Sequence, residues 1–317
     1  MEQKNIFDKI KTEIAIIDLD EESKQALLKK IGDLQNKKIN ILLAGATGVG
    51  KSSTINALFG KQVASVGEGV NPETNKIEKF ILGNIILWDT PGLGDGPEVD
   101  QIFAQNIINM LHEKDKDGSA LIDVVLVILD ASARDLGTAY ELINKVILPN
   151  ISEKKRILVA LNQCDFAMKG KFWNYEINAP KEKLEEFLQQ KVSSVAKRIE
   201  ESTEIEIKPI YYSALYKYNI SKLFFYILES TPDEKRLIYL NQLNQDNKVW
   251  QSNDDLKNYN AEIKKNVEIS FKNVLGRTIN GVQIGAKLGK MIPVVGPIIG
   301  GIIGGFLGFM GGLLGEK

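Results

Sequence analysis

The chain has a single cysteine, a single histidine and almost no net charge in 317 residues. Cys164 alone excludes an internal disulfide and fits a reducing compartment. His112 lies in a helix-like stretch of mixed polarity and reads as a surface or packing residue, not a catalytic one. Lys plus Arg (40) nearly cancel Asp plus Glu (41), and 44% of residues are apolar, so composition argues for neither a nucleic-acid binder nor a disordered chain. Any basic surface must be local. The start, Met1 to Ile6, lacks the apolar core of a signal peptide, so a cytoplasmic location is expected. The length suits a full α/β domain with one or two appendages.

Against these absences stands one complete motif. Residues 45 to 52 read Gly-Ala-Thr-Gly-Val-Gly-Lys-Ser, between the apolar run 39–44 and the helix-like 53–59. Glycines let a backbone wrap phosphates closely, and the loop and helix-start amides point at the negative charge. Gly45, Thr47, Gly48, Val49, Gly50, Lys51, Ser52 and Ser53 are therefore the expected nucleotide contacts. Lys51 would reach the β- and γ-phosphates, and the Ser52 hydroxyl would bind Mg²⁺.

Around the motif, Ile6, Ile10, Ile14 and Ile17, then Leu27, Leu28, Ile31 and Leu34, recur at helical spacing. Residues 4–36 thus read as two amphipathic helices. From 40 to about 231, apolar strands (39–44, 77–82, 85–89, 123–130, 156–162, 207–212) alternate with amphipathic helices (51–59, 98–113, 135–148, 180–203, 219–229). That alternation predicts an α/β fold with a doubly wound, mostly parallel six-stranded sheet, and an antiparallel edge hairpin at Gly83-Asn84. Binding groups should gather at the carboxyl ends of the strands. A charged helix is expected over 233–275, before a glycine-rich extension. The predicted organisation is an arm (1–36), a nucleotide-binding domain (37–231), a helical stalk (232–278) and a hydrophobic tail (279–317).

Three further signals fall at strand ends. Asp89-Thr90-Pro91-Gly92 closes 85–89; Asp89 would support Mg²⁺ and the Gly92 amide would meet the γ-phosphate. Asn162-Gln163-Cys164-Asp165 closes 156–162, and a carboxylate at Asp165 can accept both the N1 and N2 protons of guanine. Ser213-Ala214 follows 207–212 as a small-residue turn whose amide can approach the guanine carbonyl.

With these motifs in this order, residues 38 to 231 resemble the Era- and TrmE-like GTPases of the Ras-type superfamily. The stretch from Gly45 to Gly60 looks most like the small bacterial, often prophage-borne members, and also resembles septin-like and chloroplast-import GTPases. The resemblance implies that Thr74, in Asn71-Pro72-Glu73-Thr74, completes the Mg²⁺ shell. It also implies hydrolysis of GTP to GDP and phosphate, with Lys51, Thr74 and Gly92 acting at the γ-phosphate. Departures are visible: Gln163 replaces a usual Lys, Leu93 stands where Ras-type enzymes carry the water-orienting glutamine, and Gly48 stands where potassium-activated relatives carry Asn. Slow basal turnover is therefore expected, completed by a partner or by self-association through the GTPase domain or the tail.

The tail has its own signature. Residues 291–314 carry no charge, and Gly296, Gly300, Gly304, Gly308 and Gly312 recur at every fourth position, a bare stripe suited to close helix packing. As a helix this stretch would be about 36 Å long, enough for a hydrocarbon core of about 30 Å. Its eight glycines would each cost about 1 kcal/mol as an isolated helix in water. Upstream, Ile263, Val267, Phe271 and Val274 form one apolar face beside Lys264, Lys265, Lys272 and Arg277. Two readings stay open: an interfacial helix leading into a segment at the cytoplasmic face of a membrane, or a helical hairpin buried against 4–36. For the whole chain, a membrane-associated GTP switch competes with a ribosome- or RNA-associated assembly GTPase and with a module that only binds nucleotide. The second is disfavoured because no basic, aromatic RNA-binding module follows residue 231, so no specific nucleic-acid partner is expected.

Overall fold

The computed structural model describes residues 6–16, 20–60, 77–91, 97–243, 247–250 and 259–276. Two helices open it, α1 (Ile6–Ile16) and α2 (Glu21–Asn36). Asp20 caps α2 by accepting from the Ser23 amide at 2.8 Å, and Glu21 and Glu22 add negative charge where the helix dipole favours it. Ile6, Phe7, Ile10 and Ile14 bury against the same core as Leu27, Ile31 and Leu34, so the sequence periodicity marks the packed faces. Ile17 falls outside the described residues.

Next come β1 (Ile39–Ala44), α3 (Lys51–Phe59), β2 (Glu78–Leu82), β3 (Ile85–Asp89), α4 (Pro97–His112) and β4 (Val124–Asp130). A composite helix then runs as α5 (Gly137–Glu141), a π-helical stretch (Leu142–Ile147) and α6 (Leu148–Asn150). Pro149 cannot donate to the preceding turn and its ring crowds the carbonyl four residues back, which accounts for the widened ladder before it. After β5 (Ile157–Asn162), a short hairpin of β6 (Trp173–Asn174) and β7 (Ala179–Pro180) leads to α7 (Glu182–Thr203), β8 (Ile210–Tyr211) and α8 (Ile220–Ser230). The β6–β7 hairpin has no counterpart in the sequence reading; two-residue strands carry no detectable alternation.

The six-stranded sheet has the order β2-β3-β1-β4-β5-β8, with β2 antiparallel to β3 at the edge and every other pair parallel. This is the expected α/β architecture, and its physical basis shows in β1. Ile39, Ile41 and Leu43 point into the core shared with α1, α2, α3 and α8, whereas Leu42 and Ala44 point into the core shared with α4 and α7. Strands buried on both faces read as continuous apolar runs.

One expectation is corrected. The charged helix over 233–275 is instead a 3₁₀ segment (Asp233–Asn241), a second short one (Asn247–Trp250) and α9 (Tyr259–Gly276). Leu237, Ile238, Tyr239 and Leu240 are four consecutive buried residues, a pattern no one-faced α-helix produces. The Asn241 side chain accepts from the Ile6 amide at 2.9 Å, and Arg236 donates to Thr231 O at 3.0 Å and to Asn266 Oδ1 at 2.7 Å. Ile263, Val267, Phe271 and Val274 of α9 are buried in the same cluster, with Tyr259 against Phe225 at 5.6 Å. The interfacial-helix reading is therefore corrected too, because α9 already has its apolar face covered by the protein. Among the described residues no helix is long and apolar enough to cross a membrane. The tail, 279–317, lies outside them.

Candidate nucleotide site

β1 delivers the Gly45–Ser52 loop, and its backbone explains the glycines. Gly45 has φ +151° and Gly50 +87°; a Cβ at Gly45 would run into the Ile128 carbonyl oxygen, and one at Gly50 into the Asn162 side-chain amide. The loop therefore lies flush against β4 and β5. Gly48, at φ +80°, is exposed along with Thr47, while Val49 is buried beneath them. Ser52 and Ser53 sit half-buried in the first turn of α3. Thr54, one residue further, donates to Gly50 O at 2.8 Å and shares a 2.7 Å hydrogen bond with the buried Tyr212 hydroxyl, fixing the helix start to the end of β8.

Lys51 donates to Gly45 O at 3.1 Å and stands 3.9 Å from Asp89 Oδ1, at the end of β3. Burial lowers the Lys51 pKa, with Asp89 pulling the other way. Burial raises that of Asp89 to about 6; Lys51 opposes the rise and Glu78 adds to it. Asp89 Oδ1 is buried and accepts no hydrogen bond in the described structure. A buried, unsatisfied carboxylate oxygen beside a desolvated lysine is costly on its own and suited to a hard cation and phosphate. The residues present therefore fit Mg²⁺: Asp89 and the Ser52 hydroxyl would hold it. Beside them, Thr90 ties β3 to β1, donating to Leu43 O through its amide at 3.0 Å and its hydroxyl at 2.9 Å.

The Asn162 group plays a part that its motif alone does not reveal. Asn162 is buried; its Nδ2 donates to Val49 O at 2.9 Å and its Oδ1 accepts from the Ala214 amide at 3.0 Å. It is a strut joining the phosphate loop, β5 and the turn after β8. Gln163, in left-handed conformation at φ +61°, reaches Gly48 O at 2.7 Å, so it too braces the phosphate loop. Asp165 is buried, and its Oδ1 accepts no hydrogen bond in the described structure. Both amides of the Ser213-Ala214 turn are engaged, Ser213 with Tyr218 O at 3.0 Å and Ala214 with Asn162. Thr74, Gly92 and Leu93 lie outside the described residues.

One group has no local signal in sequence. Lys191 on α7 donates to Ala131 O at 2.7 Å and to Ala133 O, pinning the loop that leaves β4 beside the phosphate loop. Burial lowers its pKa, against the pull of Asp130. A lysine on an amphipathic helix reads as surface, and only the fold shows its carbonyl partners.

Comparison with known proteins agrees with this geometry. Residues 40–163 match the family described as 50S ribosome-binding GTPase. Translocase of chloroplast 34 from Pisum sativum is 30% identical over 149 residues, 44% of this chain and 46% of that protein. The tRNA modification GTPase MnmE of Lawsonia intracellularis is 33% identical over 138 residues, 43% of this chain and 27% of that protein. GTPase Era of Campylobacter jejuni subsp. doylei is 31% identical over 130 residues, 39% of each. The chain spans less than half the length of these relatives. The matched segment, with its motifs at the carboxyl ends of β1, β3 and β5, is thus similar to the GTPase domains of these proteins.

Proposed function

We propose that the chain is an Era/TrmE-like GTP-binding switch that hydrolyses GTP slowly to GDP and phosphate. The observation that carries this reading is the pair of buried carboxylate oxygens without a hydrogen bond among the described residues, Asp89 Oδ1 at the end of β3, beside Lys51, and Asp165 Oδ1 after β5. Lys51 and the loop amides bind the β- and γ-phosphates, and Asp165 accepts the guanine N1 and N2 protons. Asp89, Ser52 and Thr74 would hold Mg²⁺, which when bound would neutralise charge on the phosphate oxygens. Thr74 and the Gly92 amide contact the γ-phosphate as water attacks in line. Asn162, Gln163 and Ala214 serve the site by bracing the loop. Segments 1–36 and 232–278 support the 37–231 domain, and 279–317 attaches the chain to the cytoplasmic face of a membrane or to a second copy. Calorimetric titration with GTP, GDP and ATP in Mg²⁺ tests the core of this reading: GTP and GDP should bind and ATP should not. Equal affinity for ATP and GTP overturns the assignment of Asp165.

Phosphate release measured across protein concentrations tests turnover; a rate per molecule that climbs with concentration or lipid is expected. Turnover that is fast in dilute solution would show that the site positions water by itself. Sedimentation with liposomes and with ribosomes, each in GTP and GDP, separates the membrane reading from the assembly-factor reading. Ribosome-only cosedimentation favours the latter.

A further inference from the structure

The nucleotide motifs occupy the carboxyl ends of the strands, but a cavity of about 860 Å³ opens at the other end. Its floor is made where parallel strands begin: Asn40 on β1, Asp123 just before β4 and Arg156 just before β5. We propose that this cavity is a second ligand site, for a phosphate-bearing small molecule or headgroup.

The floor is built and internally fixed. Lys235 donates to both Asp123 oxygens at 2.8 and 2.9 Å, and Asp123 also accepts the Asn40 amide at 2.9 Å. Asn40 Oδ1 in turn accepts the Trp88 indole N–H at 3.0 Å, which sets the indole as a wall, and Lys79 lies 4.8 Å above its ring. With Asp123 satisfied, its charge is spent inside the floor. Asp115 Oδ1 is held by the amides of Asp117 and Ser119 at 2.9 and 3.0 Å.

Donors are left over. Arg156 Nε is buried with no hydrogen-bond partner in the described structure, while its Nη2 donates to Glu153. The side chains of the half-buried Lys30 and Lys37 pair with no described carboxylate. Asp33, Glu113, Asp117 and Glu234 also line the cavity, yet eight cations against six carboxylates leave the lining net positive. A buried donor without an acceptor is uncommon in folded proteins, and guanidinium and ammonium groups lining one cavity suit a multiply charged oxyanion. The volume suits a small molecule of metabolite size, larger than a lone inorganic ion.

The test uses the full chain with Mg²⁺ and excess GDP, so that the phosphate loop is filled. Inorganic pyrophosphate is titrated by calorimetry. In parallel, phosphatidylcholine vesicles with and without phosphatidic acid are scored for binding. Pyrophosphate binding identifies a free phosphate compound as the source, and binding only to the phosphatidic acid vesicles identifies a headgroup. In either arm Arg156→Gln and Lys37→Gln should each weaken binding about tenfold, the loss of one charge-assisted hydrogen bond. Arg156→Lys should recover only part, because it restores charge without the Nε donor. If Arg156→Gln does not fold, Lys37→Gln decides. The proposal is overturned if neither probe binds, or if binding ignores both cavity variants.

Discussion

Two carboxylates, the half-buried Asp89 and the buried Asp123, sit at opposite ends of one sheet and are treated in opposite ways. Asp123 receives Lys235 on both oxygens and the Asn40 amide; it closes a staple between the sheet and the 3₁₀ segment that follows α8. Asp89 has its lysine at 3.9 Å, no hydrogen bond on Oδ1 among the described residues, and a pKa raised by burial to about 6. A satisfied buried ion pair is architecture; an unsatisfied one, held open by the fold, is a place prepared for something else. The same contrast separates Asn162, saturated at both ends, from Asp165, with a bare oxygen.

The comparison breaks most visibly at the staple. Lys235→Ala leaves Asp123 buried without its counter-ion and should destabilise the protein by about 3–5 kcal/mol in denaturant unfolding. Lys51→Ala, by contrast, should leave the melting temperature of nucleotide-free protein near that of the parent. It should weaken GTP binding by roughly 100-fold, about 3 kcal/mol, by calorimetry. If Lys235→Ala is neutral, or Lys51→Ala unfolds the chain, the two lysines have been assigned the wrong way round.

Asp89→Asn sharpens the contrast because its two effects should have opposite signs. The folded pKa of Asp89 lies above its ordinary value of 3.8, so ionising it inside the nucleotide-free fold costs stability. That cost develops as pH rises from about 4 and is complete above about 6. The substitution should therefore raise stability at neutral pH by on the order of 1–3 kcal/mol, with no gain below about pH 4. It should meanwhile abolish the Mg²⁺ dependence of nucleotide binding. Thermal melts and GTP titrations across pH 4 to 8 read both signs. A destabilising Asp89→Asn would place Asp89 with Asp123 as a structural partner.

The smallest expected effect is at the strut. Asn162→Ala removes the bridge between Val49 and Ala214 and should weaken GTP binding and lower stability together, each by about 1–2 kcal/mol. Asp165→Asn should instead shift preference from guanine toward xanthine nucleotides with little change in stability. Competition titrations with both nucleotides, paired with melts, distinguish strut from base contact.

Much of this arrangement is legible in residues 39 to 52. An apolar run, glycines at fixed spacing and a helix-forming stretch specify strand, loop and helix locally, since the left-handed angles of Gly48 and Gly50 are open to glycine at little cost. The apolar periods of 6–16 and 21–36 likewise gave their packed faces. The run from 233 to 275 did not read correctly. Its charges suggest a solvated helix, but Lys235 is spent on Asp123 and Arg236 on Thr231 and Asn266, so both are drawn into the protein.

Local chemistry determined the phosphate loop, the strand-end carboxylates and the alternation of the sheet, because each depends on neighbours a few residues away. Tertiary structure alone decided that Asn162 braces Val49, 113 residues before it, that Lys235 neutralises Asp123, 112 residues before it, and that Asp89 keeps a bare oxygen. Hydrogen bonds between distant segments depend on the relative placement of whole strands and helices, and no spacing along the chain encodes which buried charge will find a partner.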